Sequence, residues 1–332
     1  MISLWILAII TILAVSIGHR VSLALRISSY QQDRIKAYCL ARAGIQRAIA
    51  ELEKDKDMNQ YDSLSESWST GTDPVTNNPL FENIEIEEGS GQTFTLRYPY
   101  DKDTYFCMVD EESKVNINTA SPGLLLTLLK ALNMEAADAQ RLTNYIRTWR
   151  GDSDSTIPIE DVYKYFKKKP FIVPEELILI LESFYQSKEE ENYQQKAQEA
   201  FDTLKYLITV YPTAAININT ASSAVLTIIA NSVAIQREQP VDGLINKIIN
   251  FRKGDSGPFT GTNITDFSNG LTTGDEQNLF SKMKSSPTLA LTLAVNSDYF
   301  DIGSTGNAGK LAKKINAVYN RPGKTIVYWH EN

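Results

Sequence analysis

An uncharged run of Ile, Leu, Ala, Val and Trp fills the chain from Met1 to Gly18. That is about the shortest apolar segment able to span a bilayer as a helix. Beyond it the pattern becomes two-sided. Tyr38, Ala41, Ile45, Ala48, Ile49 and Leu52 form one stripe at helical spacing, with Arg34, Lys36, Arg42, Arg47 and Glu51 largely off it. No Pro or Gly interrupts residues 19–43. The two patterns join into a single predicted rod of roughly 50 residues, about 75 Å at 1.5 Å per residue. The polar stretch Asp55 to Asn83 reads as a surface loop or disordered excursion. Period-two alternation then predicts a strand over Glu82–Glu88, a turn at Gly89-Ser-Gly91, and strands over Thr93–Tyr98 and Thr104–Val109. A second strand set closes the chain at Asp298–Ile302, Lys313–Tyr319 and Thr325–Trp329, with a turn at Asn320-Arg-Pro-Gly323.

Between the two strand sets the chain repeats itself. Val115-Asn-Ile-Asn-Thr-Ala-Ser121 returns as Ile216-Asn-Ile-Asn-Thr-Ala-Ser222, and an Arg-Gly-Asp or Arg-Lys-Gly-Asp run follows each copy. Arg150 lies 34 residues after Asn116, and Arg252 lies 35 residues after Asn217. Leu124, Leu125, Leu128, Leu129 and Leu132, then Leu142, Ile146 and Trp149, fall at helical spacing, so each module reads as helix, connection, helix. Asn and Thr side chains bond nearby backbone amides and favour a tight turn; Thr119 or Ser121 can cap the helix that Pro122 opens. The modules occupy about 113–183 and 214–284. Neither strand set makes a good sheet alone, so the economical fold class is α+β: a long N-terminal helix packed on an antiparallel sheet interrupted by an all-α insertion. The expected segments are a transmembrane helix over 1–18, an amphipathic continuation over 19–55, and the first part of an α+β domain over 56–109. The first helical module follows at 110–186, a linker helix with the second module at 187–290, and the completing strands at 291–332.

Two other readings of the N-terminus are weaker. A cleaved secretory signal, with Ala14-Val-Ser16 as its cleavage site, lacks a basic leader, and a soluble core helix is rarely apolar on every face. His19, Arg20 and Arg26 follow the apolar run with nothing basic ahead of it, which read literally places the bulk of the chain in the cytoplasm. A basic leader upstream of Met1 in the precursor would restore the opposite orientation, and such a leader is expected.

Charge narrows the function. The chain carries 33 Lys and Arg against 40 Asp and Glu, a net charge of −7. Residues 110–290 hold 23 acidic and 18 basic residues, which argues against nucleic acid, whose duplex must be neutralised by cations. The connections Lys130-Ala-Leu-Asn-Met134 and Asn231-Ser-Val-Ala-Ile235 also lack paired glycines that would let a phosphate approach the backbone. The Asn and Thr residues therefore read first as turn builders. With only His19 and His330, and no phosphate loop or nucleophile–base set, catalytic residues are none, and no cofactor is required. One metal candidate remains: calcium in Gly151-Asp-Ser-Asp-Ser155, held by Asp152 and Asp154 with help from Glu160 or Asp161. Its competitor is a solvated loop whose Asp residues cap the next turn. Lys167-Lys-Lys169 reads as a solvated face and Glu189-Glu-Glu191 as the start of a linker helix. Cys39 on the rod and Cys107 in a strand are not placed together by the sequence, and their pairing is open.

Several separated markers together resemble the minor pseudopilin K family of type II secretion systems. They are the Leu4-Trp-Ile-Leu-Ala8 start, Tyr38-Cys-Leu-Ala-Arg-Ala-Gly44, Asp110-Glu-Glu-Ser-Lys-Val-Asn-Ile-Asn-Thr-Ala120, Pro170-Phe171 with Glu175-Glu-Leu177, Asp298-Tyr-Phe300 and Val327-Tyr-Trp-His-Glu331. The likeness spans nearly the whole chain. It implies a non-enzymatic, pilin-like subunit of the bacterial inner membrane, with two SAM-like modules inserted in its sheet and its bulk in the periplasm. Its implied partners are other minor pseudopilins at the pseudopilus tip, and a prepilin peptidase acting on the precursor. The chain shows no leader with its Gly cleavage site. No Glu lies between residues 1 and 30, an absence the resemblance leads one to expect of a subunit with no neighbour above it. The alternatives are a membrane-tethered DNA receptor using the helix-hairpin-helix-like modules, or a type IV pilus minor pilin.

Overall fold

The computed structural model describes residues 2–152, 166–213, 215–234, 241–286 and 291–332. A single helix, Ile2–Met58, runs for 57 residues, about 85 Å. Its first thirty or so positions are bare, and its last twenty lie on protein. The buried face is Ala37, Leu40, Ala41, Gly44, Ile45, Ala48 and Leu52, the expected stripe with small residues at its centre; Glu51, expected off it, is buried too, where it accepts the Ser67 hydroxyl at 2.7 Å. Tyr38 and Ile49 sit at its edge, partly buried.

The sheet beneath is antiparallel and draws on both strand sets. Its order is Ile84–Glu85, Thr93–Leu96, Tyr299–Ala308, Leu311–Asn320 and Thr325–Glu331. Met108–Asp110 joins the near half of the third strand, pairing Phe300 with Asp110 and Ile302 with Met108. Thr93–Leu96 takes the far half, pairing Ser304 with Leu96 and Asn307 with Thr93. The central hairpin is longer than the alternation predicts, because Gly303-Ser-Thr-Gly-Asn307 continues the strand to a turn at Gly309, which adopts φ +58°. Its small residues are explained by what crosses them: the helix passes so close at Gly306 that a Cβ there would stand 2.8 Å from Leu40 Cβ and overlap the Ala37 and Ala41 backbone.

The polar stretch after the helix departs from the loop expected of it. Trp68 and Phe81 are fully buried in the core between helix and sheet, with Trp68 edge-on to Phe300 at 5.2 Å. Two large aromatics in a Ser- and Asn-rich segment were enough to draw it inward, since burying such rings outweighs the local preference for solvent.

Between the strand sets, the first helical region comprises Pro122–Leu129, Ala136–Arg150, Glu176–Ser187 and Tyr193–Leu204. The second comprises Ser223–Val233, Val241–Lys253, Asn263–Asn269 and Gly274–Lys284. Their leucines, isoleucines and phenylalanines form one continuous core, separate from the core between the long helix and the sheet. The helices Pro122–Leu129 and Ser223–Val233 pack against each other.

Candidate functional site

The two Asn turns superimpose in chemistry. Asn116 Oδ1 accepts the Asn118 N–H at 2.9 Å, and Asn217 Oδ1 accepts the Asn219 N–H at 2.9 Å. The second Asn of each turn then grips one residue twice, like a strand partner. Asn118 donates to the Phe171 carbonyl at 3.0 Å and accepts its N–H at 2.7 Å. Asn219 does the same to Phe259 at 2.9 and 2.8 Å. Ser121 and Ser222 accept from Leu124 and Val225 N–H and cap the following helices. Arg150 Nη1 donates to the Ile117 and Ala120 carbonyls, while Arg252 Nη1 donates to those of Ile218 and Ala221. Turn, cap, Pro-Phe and Arg thus form one repeated clasp. Phe259 was not singled out from the sequence; the Pro258-Phe259 dipeptide matching Pro170-Phe171 was the signal that could have found it.

At its base each clasp is stitched in parallel to the segment that leaves its module. Val115–Asn116 pairs with Ile208–Thr209, and Ala215–Asn217 pairs with Leu291–Ala294. The first Asn of each turn also ties down more distant segments. Asn116 Nδ2 donates to the carbonyls of Tyr211 and Thr213. Asn217 Nδ2 reaches out of its module, to the Asp62 carbonyl at 3.1 Å, Asp110 Oδ2 at 3.2 Å and Ser297 Oγ at 2.8 Å.

Asn217 thereby enters a buried polar junction between sheet and helices. Thr220 and Ser297 hydroxyls both donate to Asp110 Oδ2. Arg321 donates to Asp62 through both terminal nitrogens, at 2.8 and 2.6 Å, and to the Ser297 carbonyl. Alongside, Lys114 bridges Glu111 and Asp301, and Thr209 donates to Glu111. Burial pushes the carboxyl pKa values of Asp110, Glu111 and Glu112 upward. Such groups are tolerated in an interior only because each finds partners there.

Asp55, Asp62 and Glu66 also converge, with ligand oxygens within 4.8 Å of one another. Burial, then the nearby Asp55 carboxylate, pushes Glu66 up to about 8. Burial raises Asp55 to about 6. Arg321 already sits on this cluster, bidentate to Asp62 and 3.9 Å from Asp55. Its guanidinium supplies the balancing charge.

Of the calcium candidates, Asp154, Glu160 and Asp161 lie outside the described residues. Asp152 meets Arg150 Nε and Nη2 at 2.7 Å each and Arg147 Nε at 3.1 Å. Partial burial works against its ionisation, yet the two guanidinium groups hold its carboxyl below the usual range. Lys167 is less solvated than expected, since it pairs with Glu176 at 2.9 Å. In the first connection, Lys130–Leu132 is a 3₁₀ turn ended by Asn133 at φ 53°. Part of the second, from Ile235, lies outside the described residues. Cys39 and Cys107 are both free.

A long apolar helix packed at its C-terminal end on an antiparallel sheet defines the class: this is a pilin-like α+β fold. The helix is long and apolar enough to cross a membrane, and its apolar part is wholly exposed. No protein-family model matches the chain, and no curated protein matches it. Among solved structures it is similar to a chain of the GspK-GspI-GspJ complex from the enterotoxigenic Escherichia coli type 2 secretion system. The TM-score is 0.59 at 15% identity, over 92% of this chain and 99% of that one. The likeness is one of fold and runs nearly end to end in both chains.

Proposed function

We propose that this protein is a minor pseudopilin of a type II secretion system, of the K type, standing at the tip of a periplasmic pseudopilus and supporting export across the outer membrane. The observation that carries the reading is the end-to-end match, 92% against 99%, to a chain of a complex whose members assemble in such a system. Its partners on this reading are other minor pseudopilins, and its precursor is a substrate of a prepilin peptidase. Residues 1–18 anchor it in the inner membrane as a single pass, N-terminus cytoplasmic, with the two helical regions as SAM-like modules in the periplasm. The first acidic residue is Asp33, so no carboxylate in the apolar helix calls for a neighbour above, in keeping with a tip position. On this reading the role is assembly rather than catalysis, as for the chain it matches, which is a component of a multi-subunit complex.

The test is co-purification of the full chain, solubilised in detergent, with the minor pseudopilins encoded beside it, with low-salt duplex DNA as parallel bait. A stable protein complex is the expected result. Retention on DNA without a protein partner would replace this reading by the DNA-receptor one.

A further inference from the structure

The two clasps differ at one point. In the first, the outer edge of the Arg150 fork is filled from within: Asp152, two residues on, takes Nε and Nη2 at 2.7 Å each. In the second, Lys253 is inserted and the matching acid, Asp255, is pushed one position further along. Asp255 is exposed, and among the described residues no carboxylate acts on Arg252. The guanidinium's neighbour is instead the neutral Tyr100 phenol, whose oxygen is within its hydrogen-bonding reach while the O–H is donated to the Thr220 carbonyl at 2.6 Å. Burial lowers the Arg252 pKa, the sign of a cation short of a counter-charge.

That fork lies on the wall of a cavity of about 770 Å³ between the second module, the short hairpin of Tyr98–Pro99 with Tyr105–Phe106, and the Ser63–Ser65 segment. Lys253 adds a second cation to its rim, and Leu64, Phe106 and Ile249 add apolar surface. The acid on the wall, Asp101, has Oδ1 occupied by the Asp103 and Thr104 N–H groups. We propose that this cavity is a docking site for an acidic side chain, Asp or Glu, of a neighbouring protein subunit, whose carboxylate completes the Arg252 fork as Asp152 completes that of Arg150. A planar carboxylate is the anion the guanidinium fork fits in two parallel bonds, and the first clasp shows this motif holding one. The volume far exceeds one carboxylate and leaves room for the loop that carries it. The neighbour's identity rests on the pseudopilin reading; the chemistry of the site does not.

The experiment fills the fork from within. Gly254→Asp puts an acid at the spacing Asp152 has from Arg150, and a Cβ there needs only a small give from the Asn250 carbonyl at 3.1 Å. Gly254→Asn is the uncharged control, and deletion of Lys253 restores the first clasp's spacing should Gly254→Asp fail to fold. Full-length chains in detergent are compared for thermal midpoint and for capture of the adjacent minor pseudopilins. The expected result is an unchanged or higher midpoint, with capture weakened at least about tenfold in Gly254→Asp and kept in Gly254→Asn. Equal capture by all three overturns the proposal. If even the wild type captures no partner, the pseudopilin reading fails by itself. N-acetyl-glutamate amide then becomes the probe, with its glutamine counterpart as control: glutamate-selective binding lost in Gly254→Asp upholds the site, and equal or no binding overturns it.

Discussion

Gly306, in the central strand, lies directly against Ala37 of the long helix, so close that the helix backbone occupies the place a side chain would take. Gly44 makes the reciprocal approach from the helix, where a Cβ would overlap Ser304 Oγ and stand 2.9 Å from Phe94 Cδ2. Rod and sheet thus meet backbone to backbone at Gly306, and at Gly44 the rod's backbone rests on the sheet's side chains. Overpacking a core costs typically ~1–3 kcal/mol, and contact with backbone leaves little to relax. Gly306→Ala is expected to lose about 3 kcal/mol in urea unfolding of the full chain, while Gly261→Ala, with open space around it, changes little. Equal tolerance of both would show that the helix can lift off the sheet.

The double grip of each clasp makes a graded prediction. Asn219 is 2% exposed and Phe259 fully buried, whereas Asn118 is half-buried, so water reaches the broken bonds at residue 118 more readily than at 219. Asn219→Ala leaves the buried Phe259 N–H and carbonyl without partners, at about 1–3 kcal/mol for each unsatisfied group. Asn118→Ala should cost less, because water can take up part of what Phe171 and the Val210 carbonyl lose. Hydrogen exchange at Phe171 and Phe259 reads the same order, with larger loss of protection at Phe259. The reverse order would mean that the second clasp is not the tighter of the two.

How far this could be read in advance depends on sequence distance. The heptads, the capping serines and both arginines are local or repeated, and Asn116, Ser121, Arg150 and their counterparts stand where the pattern puts them. The strand Gly303–Asn307 was invisible because its residues were chosen for the helix above it rather than for strand propensity. Trp68 and Phe81 were lost in a polar stretch whose average character pointed outward. The junction was hidden for a different reason: Asp62 and Arg321 are 259 positions apart, and neither has a local pattern that marks it as buried.

That Asp62–Arg321 pair makes a prediction of its own. Both side chains are almost fully buried, so removing one strands the other's charge, typically a loss of ~3–5 kcal/mol. Arg321→Met should be destabilising to that degree, and a double change with Asp62→Leu should recover much of it. A purely additive double mutant would show that the pair is not coupled in the folded chain.

Calcium has a sharper test now that Asp152 is seen between two guanidinium groups. An ion drawing on Asp152 has to compete with Arg147 and Arg150 for its carboxylate. Calorimetric titration of the full chain is expected to give no heat, with the same thermal midpoint in calcium and in chelator. A shift that survives Asp152→Asn but not Asp154→Asn would establish a site built from the remaining acids.

The acidic cluster beside Arg321 contributes to the pH dependence, in the same direction as the buried Asp110, Glu111 and Glu112. Glu66 has an ordinary value of 4.5 and is raised to about 8 in the fold, by burial first and Asp55 second. Its protonated form is thus favoured by folding, and the stability this contributes is fully present below pH 4.5 and is lost as pH rises to about 8. Asp55, raised by burial from 3.8 to about 6, acts in the same direction over a lower window. Thermal midpoints of the full chain should therefore fall between about pH 5 and 8. Asp55→Asn removes one of these titrations and the larger of the two like charges acting on Glu66, so its midpoint should fall less steeply over that range. A midpoint that climbs through this window in the wild type would mean that Arg321 outweighs burial and keeps both carboxylates ionised.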